Sequence, residues 1–324
     1  MDVTKPSTLS ATAVAAAAHE ARATVIFLSP AAVANVVATS GALSPADLEA
    51  LDGVRTFLSA GAPVAPPLVE AAARLMPNAT AHTPYGMTEG LLMTDVTLDE
   101  IHAVAASAPG DAARSGGGVC VGRAAAGVRI RVSALDADGH ATGALTESPD
   151  LTGEIVVAAP HVMDHYDRLW LTDRASRRVS GARPGERWHR TGDVGHLDRA
   201  GRLWVEGRLP HVITTADGVV TPVAVEQGAE SASGVARAAA VGVGPSGTQQ
   251  VVVVAETSPP SSRVQLAGES LAASIRAAAG VPLAAVILVP RLPTDVRHNS
   301  KIDRSGLAAW ASRLLRGENP GRPA

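Results

Sequence analysis

The chain opens with apolar and polar positions in two alternating rhythms. Ala11 to Ala18 is an Ala-rich run, interrupted only by Thr12 and Val14 and followed by His19, Glu20 and Arg22. It predicts a buried Ala-rich helix feeding a short strand, Thr24-Val-Ile-Phe-Leu28. Ser29-Pro30 ends that strand and starts the next helix, so residues 9–40 read as helix, strand, turn, helix. Ser44-Pro-Ala-Asp47 is an N-cap followed by proline at the first helical position. Val54 to Ser59 reads as a second short strand, ending in Ala60-Gly-Ala-Pro63, and a helix follows from about Pro67 to Leu75. Strands alternating with helices predict a largely parallel α/β sheet.

The pattern changes after Glu100. Residues 109–118 are rich in Gly, Ala and Ser and predict a loop. From 119 to 207 the apolar runs are short and β-like: Val128 to Val132, Gly153 to Ala158 and Arg202 to Glu206, with turns at Asp138-Gly139 and Arg199-Ala-Gly201. This predicts an antiparallel, barrel-like segment. The remainder reads as a small α+β unit. Helices are predicted over Val223 to Ala232, Leu271 to Ala279 and Ala308 to Arg316. Strands are predicted over Arg237 to Val243, Gln250 to Ala255 and Ala285 to Val289. Residues 317–324 are Gly/Pro-rich and predict a frayed end. The expected class is α/β: a partial large domain of mostly parallel sheet (1–115) with a β-barrel-like subdomain (116–208), then a small α+β C-terminal domain (209–324).

Composition narrows the function. With 46% hydrophobic residues over 324, a sizeable core can be buried. A net charge of -3 lacks the basic excess of phosphate-neutralising nucleic-acid binders, and 2% aromatic residues leave few stacking platforms. A nucleic-acid partner is therefore not expected. A single cysteine, Cys120, excludes an internal disulfide and points to a reducing cytoplasm. No apolar run is long enough to span a bilayer. The charged residues directly after the Ala-rich run speak against a secretory leader.

Several suggestive patterns have plainer readings. Gly242-Val-Gly-Pro-Ser-Gly247 fits Gly-x-Gly-x-x-Gly, but Pro245 and a following β run make it a hairpin turn. Gly116-Gly-Gly118 lacks the Lys-Ser/Thr ending of a phosphate loop. His161 and His165 have helical ligand spacing without the Glu of a zincin, in a loop-like context. Ser59 and Ser180 sit in no nucleophile elbow.

Three segments carry chemistry. In Thr83-Pro-Tyr-Gly-Met-Thr-Glu89, Gly86 allows a close backbone turn and Tyr85 offers a flat face for a base. Thr88 offers a hydroxyl for phosphate, and Glu89 a hard oxygen for Mg²⁺. In Trp188-His-Arg-Thr-Gly-Asp193, continued by Leu197 to Arg208, Asp193 after a Thr-Gly turn can accept both hydroxyls of a ribose. Arg208 can donate a planar fork to ribose or phosphate oxygens. In Pro293 to Ile302, a polar loop carries Lys301, one of only two lysines, the other being Lys5. Each segment alone is equally compatible with a turn, a hairpin or a solvated loop.

In this order, the segments resemble the adenylate-forming superfamily of acyl-CoA synthetases, peptide-synthetase adenylation domains and luciferases, across nearly the whole chain. The resemblance assigns Ser59-Ala-Gly-Ala-Pro63 to the adenine side, with Gly61 and Ala62 in contact with the nucleotide. It assigns Tyr85-Gly-Met-Thr-Glu89 to the aromatic-Gly-x-Thr-Glu signature and Thr191-Gly-Asp193 to the ribose motif. Gly207-Arg208 leads into the hinge between large and small domains, and Lys301 becomes the lysine that contacts the reacting carboxylate and phosphate. Asp295-Val-Arg-His-Asn-Ser-Lys-Ile302 resembles more closely the lysine loop of β-lactone synthetases of olefin biosynthesis. Gly118 to Gly122 and His211-Val-Ile213 also look like that subgroup.

The resemblance implies an ATP-dependent ligase using Mg²⁺ held by Glu89. It activates a small-molecule acyl substrate, a long-chain 3-hydroxy acid, as its acyl-AMP. Lactone closure follows, with other enzymes of the same lipid pathway as potential partners. His298 either assists as a base or orders the loop. An acyl-CoA or fatty-acyl-AMP ligase is the alternative in the same class. A catalytically silent nucleotide-binding fragment is the alternative in another class, because the superfamily's Ser/Thr/Gly-rich phosphate loop has no counterpart here. The chain is expected to begin partway through the large domain. Pro210, two residues after Arg208, fixes φ at the hinge and disfavours the large rotation used for CoA transfer.

Overall fold

The computed structural model of the protein describes residues 9–61, 64, 66–107, 117–183, 185–293 and 302–323. It divides into two compact units. One comprises Met1–Ala112, Cys120–Arg129 and Ala159–Asp164; the other comprises Ala113–Val119, Ile130–Ala158 and His165–Ala324.

The first unit contains α1 (Ala11–Ala21), β1 (Val25–Leu28), α2 (Pro30–Ala38), α3 (Pro45–Asp52), β2 (Thr56–Ser59), α4 (Pro66–Ala73), β3 (Thr80–His82), β4 (Tyr85–Met87), β5 (Gly90–Asp95), α5 (Leu98–Ser107) and β6 (Val119–Ala124). The expected caps are present. Ser29 Oγ accepts from Ala32 N ahead of Pro30, and Ser44 with Asp47 closes a reciprocal capping box. Strands β1, β2 and β3 pair in parallel in that order. Ile26, Leu28, Phe57 and Ala81 face a core shared with Val14, Val33, Val36, Leu51 and Val69 of the helices. Fully burying one side chain such as Phe57 is worth about 1.5–3 kcal/mol, so this apolar face holds the layer together. Strand β5 pairs antiparallel with both β4 and β6.

The second unit begins with β7 (Arg129–Leu135), β8 (Ala141–Thr146), β9 (Gly153–Ala158), α6 (Trp170–Ser176), β10 (His189–Leu197) and β11 (Arg202–Arg208). The stretch read as barrel-like is an antiparallel sheet in the order β11-β10-β9-β7-β8. Strand β9 is buried along its whole length, which explains its apolar run from Ile155 to Ala158. Next come β12 (Ile213–Thr215), β13 (Gly218–Val220), α7 (Pro222–Ser231), β14 (Val235–Val243), β15 (Gln250–Thr257), β16 (Gln265–Leu266), α8 (Glu269–Ala278), β17 (Ala285–Leu288) and α9 (Arg304–Leu315). The last four strands form one sheet, β14-β15-β17-β16.

Alternation splits this sheet's side chains between two cores. Ala238, Ala240, Val251 and Val253 face Val225 and Ala229 of α7 and Ile275 of α8. Ala239, Val241, Val252 and Val254 face Leu307, Trp310 and Ala311 of α9. A strand covered on both faces is apolar at every position, as Val251 to Ala255 is. Gly242 to Gly247 sits at the β14–β15 hairpin end, as its proline predicts.

Candidate functional site

In the first unit, Ser59 ends β2 and its hydroxyl is buried without a partner among the described residues. Gly61 follows with φ +100°, whereas Ala62 lies outside the described residues. This is the carboxyl end of the parallel strands, where open α/β sheets take their ligands. Three residues after β3, Tyr85 begins a tight hairpin in which Met87 pairs with Gly90, leaving Thr88 and Glu89 as the turn.

Gly86 therefore does not make the turn its sequence context suggested; it lies inside β4. A Cβ there would stand 2.6 Å from Leu91 Cδ1 and 3.1 Å from Gly90 O, so its bare Cα serves close strand approach. Thr88 is exposed and Glu89 half-buried. The Glu89 carbonyl accepts from Met163 N at 2.8 Å, which ties the turn to a neighbouring loop. In that loop, His161 Nε2 lies 3.1 Å from the Leu92 carbonyl, its partner.

In the second unit, Asp193 and Arg208 are direct partners across the β10–β11 ladder. Their side chains form an ion pair at 3.1 Å, with Asp193 one-fifth and Arg208 about half exposed. The turn expected at Thr191-Gly192 is a break in register inside β10 rather than a strand end. Gly192 takes φ +72°, a region that costs other residues energy. Thr191 Oγ1 donates to the Ile155 carbonyl at 2.8 Å and accepts from Asp193 N at 3.0 Å. Glu154 on β9, almost fully buried, accepts from Arg190 Nε at 2.7 Å and from Gly192 N at 3.2 Å.

A second buried carboxylate lies two residues before Arg208. Glu206 is the extra residue of a β-bulge, since Val194 pairs with Gly207 and Gly195 with Val205. It accepts from His196 Nδ1 at 2.7 Å, from Thr152 Oγ1 at 3.0 Å and from Thr221 Oγ1 at 2.8 Å. The carboxylate is acceptor-only, so Nδ1 carries the shared proton. His196 Nε2 is buried and has no partner among the described residues, and the ring stacks on Trp204. Glu206 thereby joins β9, β10, β11 and the start of α7. At the β10–β11 turn, burial works against the Asp198 charge. Hydrogen bonds from Trp204 and Arg202 nonetheless hold its carboxyl below the usual range.

The functional reading of the sequence passed over Glu154 and Glu206, although a signal was present. Each is a lone acid next to an apolar run, Ile155 to Ala158 or Leu203 to Val205, and such residues are almost never buried unless paired. After Arg208, Leu209–His211 forms one 3₁₀ turn containing Pro210. Burial, with the Arg304 and Arg208 charges, pushes the His211 imidazole below its ordinary range. His298 and Lys301 lie outside the described residues.

Comparison with known proteins gives a consistent lineage. Residues 3–167 match the family described as AMP-binding enzyme. The chain is 36% identical over 325 residues to the olefin beta-lactone synthetase of Stenotrophomonas maltophilia, covering 97% of this chain and 56% of that protein. It thus spans little more than half the length of that curated relative. ATP-bound MatB from Rhodopseudomonas palustris is similar in fold, with a TM-score of 0.69 at 22% identity, over 93% of this chain and 53% of that one. The O-succinylbenzoate coenzyme A synthetase of Bacillus subtilis, solved with ATP and magnesium, gives a TM-score of 0.66 at 21% identity, over 92% of this chain and 54% of that one. With a family match over half its length and the signature residues in their expected order, the chain belongs to the AMP-binding enzyme family.

Proposed function

We propose that this chain carries the nucleotide and lysine-loop machinery of an enzyme that activates a 3-hydroxy acid as its acyl-AMP and closes it to a β-lactone. The observation that supports this most directly is the Asp193–Arg208 pair. A carboxylate and a guanidinium 3.1 Å apart, fixed by Glu154 and Thr191 beneath them, suit a vicinal diol with an adjacent phosphate. The carboxylate accepts from the diol and the guanidinium donates to the phosphate. The 36% identity to an olefin beta-lactone synthetase supports the choice of reaction.

In this reading Gly61, Ala62, Tyr85 and Gly86 flank the adenine, and the Thr88 hydroxyl binds a phosphate oxygen. Glu89, a half-buried carboxylate on a two-residue turn, fits a magnesium ion that keeps most of its waters and takes one protein carboxylate. When bound, that ion neutralises phosphate charge. The substrate carboxylate forms a bond to the α-phosphorus of ATP as the bond to pyrophosphate breaks. The obstacle is an anion approaching a polyanion, and the Lys301 ammonium offsets that charge in the transition state. In the second step the β-hydroxyl oxygen attacks the acyl carbon of the same molecule, its proton leaves, and AMP departs. Holding both groups on one substrate supplies the effective concentration. His298 serves this step as base or orders the loop.

The test is ATP–pyrophosphate exchange on this chain with 3-hydroxy acids and simple fatty acids, with product trapping. The expected result is exchange and a β-lactone formed without CoA. A thioester formed only with CoA would replace the lactone reading with a ligase. Absence of both exchange and nucleotide binding would overturn the assignment. Lys301→Ala should keep ATP binding and lower exchange by about 10²-fold or more.

A further inference from the structure

The described residues on either side of 294–301 are held in place. On the upstream side the chain leaves β17 and reaches Leu292, which is buried in the α9-side core. Leu292 N donates to Glu256 Oε1 on β15 at 2.6 Å. On the downstream side Asp303 N donates to the Pro293 carbonyl at 3.1 Å, joining the two flanks. Asp303 then caps α9 through Gly306 N at 2.9 Å. Ile302 packs on the same core as Leu292. Arg304 sends a two-pronged fork into Glu226 of α7, with Nε to Oε1 and Nη2 to Oε2 both at 2.7 Å. Glu226 Oε1 also accepts from Ala240 N on β14 at 3.0 Å. Lys301 precedes Ile302 by one peptide step, about 3.8 Å between Cα atoms, and Arg304 by three residues.

The Glu226–Arg304 pair is out of keeping with its surroundings. Both side chains are mostly shielded from solvent, 8% and 20% exposed, beside two cores built from apolar side chains. A buried ion pair adds little net stability over apolar residues of similar volume, whereas its fork fixes one geometry. By contrast, Arg313–Glu318 near the end of α9 is about half exposed and constrains little.

We propose that Glu226 and Glu256 are positioning residues: they fix the described chain on either side of 294–301, at Leu292 and at Asp303-Arg304, and through it the step that Lys301 serves. This rests on the reading that Lys301 acts on the reacting carboxylate and phosphate. Glu226 holds the downstream limb through Arg304, and Glu256 holds the upstream limb through the Leu292 amide. Neither touches substrate. Together they tie both flanks to α7, β14 and β15.

The chain's lysine content makes the test clean, since Lys5 is the only other lysine and serves as an internal reference. Lys301 is acetylated with an amine-selective reagent, with and without ATP, and its modification relative to Lys5 is read by mass spectrometry. Exchange kcat and the KM for ATP are measured in parallel. The variants are Glu226→Gln combined with Arg304→Met, which leaves no buried charge, Arg304→Lys, which keeps charge without the fork, and Glu256→Gln. Glu318→Ala is the control.

The expected result for each clamp variant is a kcat lower by about 10- to 100-fold with the KM for ATP within about threefold, as for a reacting group displaced by roughly 1 Å. ATP protection of Lys301 should fall in parallel, and Glu318→Ala should match the parent. Unchanged kcat and protection in folded Arg304→Lys and Glu256→Gln, beside an inactive Lys301→Ala, overturns the clamp alone. Full exchange in Lys301→Ala overturns the lysine's role and the clamp with it.

Discussion

Glu206→Ala is the sharpest test of how the second unit is held together. The wild-type carboxylate takes three hydrogen bonds, from His196 Nδ1, Thr152 Oγ1 and Thr221 Oγ1, and its side chain is 2% exposed. Removing it leaves His196 and the buried Thr221 hydroxyl as orphaned donors. Thr152 is only partly buried, so water can replace its lost partner. At about 1–3 kcal/mol for each of the two buried orphans, the expected loss is about 2–6 kcal/mol, a large share of the roughly 5–15 kcal/mol that holds a domain together. Glu206→Gln should cost less. Its amide oxygen can still accept from both threonines, and only the His196 contact meets an NH₂ group, so about 1–2 kcal/mol is expected. The assay is urea unfolding of the whole chain, followed by tryptophan fluorescence, which the stacked Trp204 reports. The reasoning is refuted if the alanine variant unfolds within about 0.5 kcal/mol of the parent, or if glutamine is the more damaging substitution.

Three further outcomes follow from other sites. Arg208→Lys should weaken AMP binding by about tenfold, because an ammonium cannot reproduce the fork. Its melting temperature should barely move, since the Arg208 end of the pair is about half exposed; titration calorimetry and a thermal melt separate the two. Gly122→Ala should destabilise the first unit by about 2–4 kcal/mol, because its φ is +84° and the new Cβ would lie 1.9 Å from the Asp95 carbonyl oxygen. A melt equal to the parent's would contradict that. Burial raises the Glu230 pKa above its ordinary 4.5, with the neighbouring Glu226 adding to it. The unfolded chain therefore loses this proton first as pH rises. The cost of the folded carboxylate is absent below 4.5, grows through the window above it, and is complete past the folded pKa. Glu230→Gln should accordingly gain stability over the parent at pH 7 and lose that advantage at pH 4, as denaturant midpoints would show.

The elements legible from sequence were those whose signal is local. Ser29-Pro30 and Ser44 to Asp47 announced their helix starts because capping uses atoms within one turn. Pro245 turned a tempting glycine pattern into a hairpin for a reason confined to one residue. The runs Val251 to Ala255 and Ala285 to Leu288 were readable as strands because sheets covered on both faces need no polar positions. Asp193, Arg208 and the Tyr85 to Glu89 segment stood out because their residue types suit a nucleotide and their order resembles a known family.

Other features depend on partners distant in sequence. Nothing local says that Gly86 sits within a strand, because its constraint is the side chain of Leu91 across a hairpin. The short β12–β13 pair between Ile213 and Val220 carries too few residues to show a period. Glu154, Glu206 and Glu226 are single acids at the edges of apolar runs. Their meaning lies with Arg190 at 36 residues' separation, Thr152 at 54 and Arg304 at 78. Sequence by itself determined the class of fold, many of its helices and longer strands, and the residue types able to meet a nucleotide, since periodicity, capping and side-chain chemistry are properties of short stretches. Tertiary structure alone decided which carboxylates are buried and what they hold, because burying a charge requires a partner that only folding brings within hydrogen-bond reach.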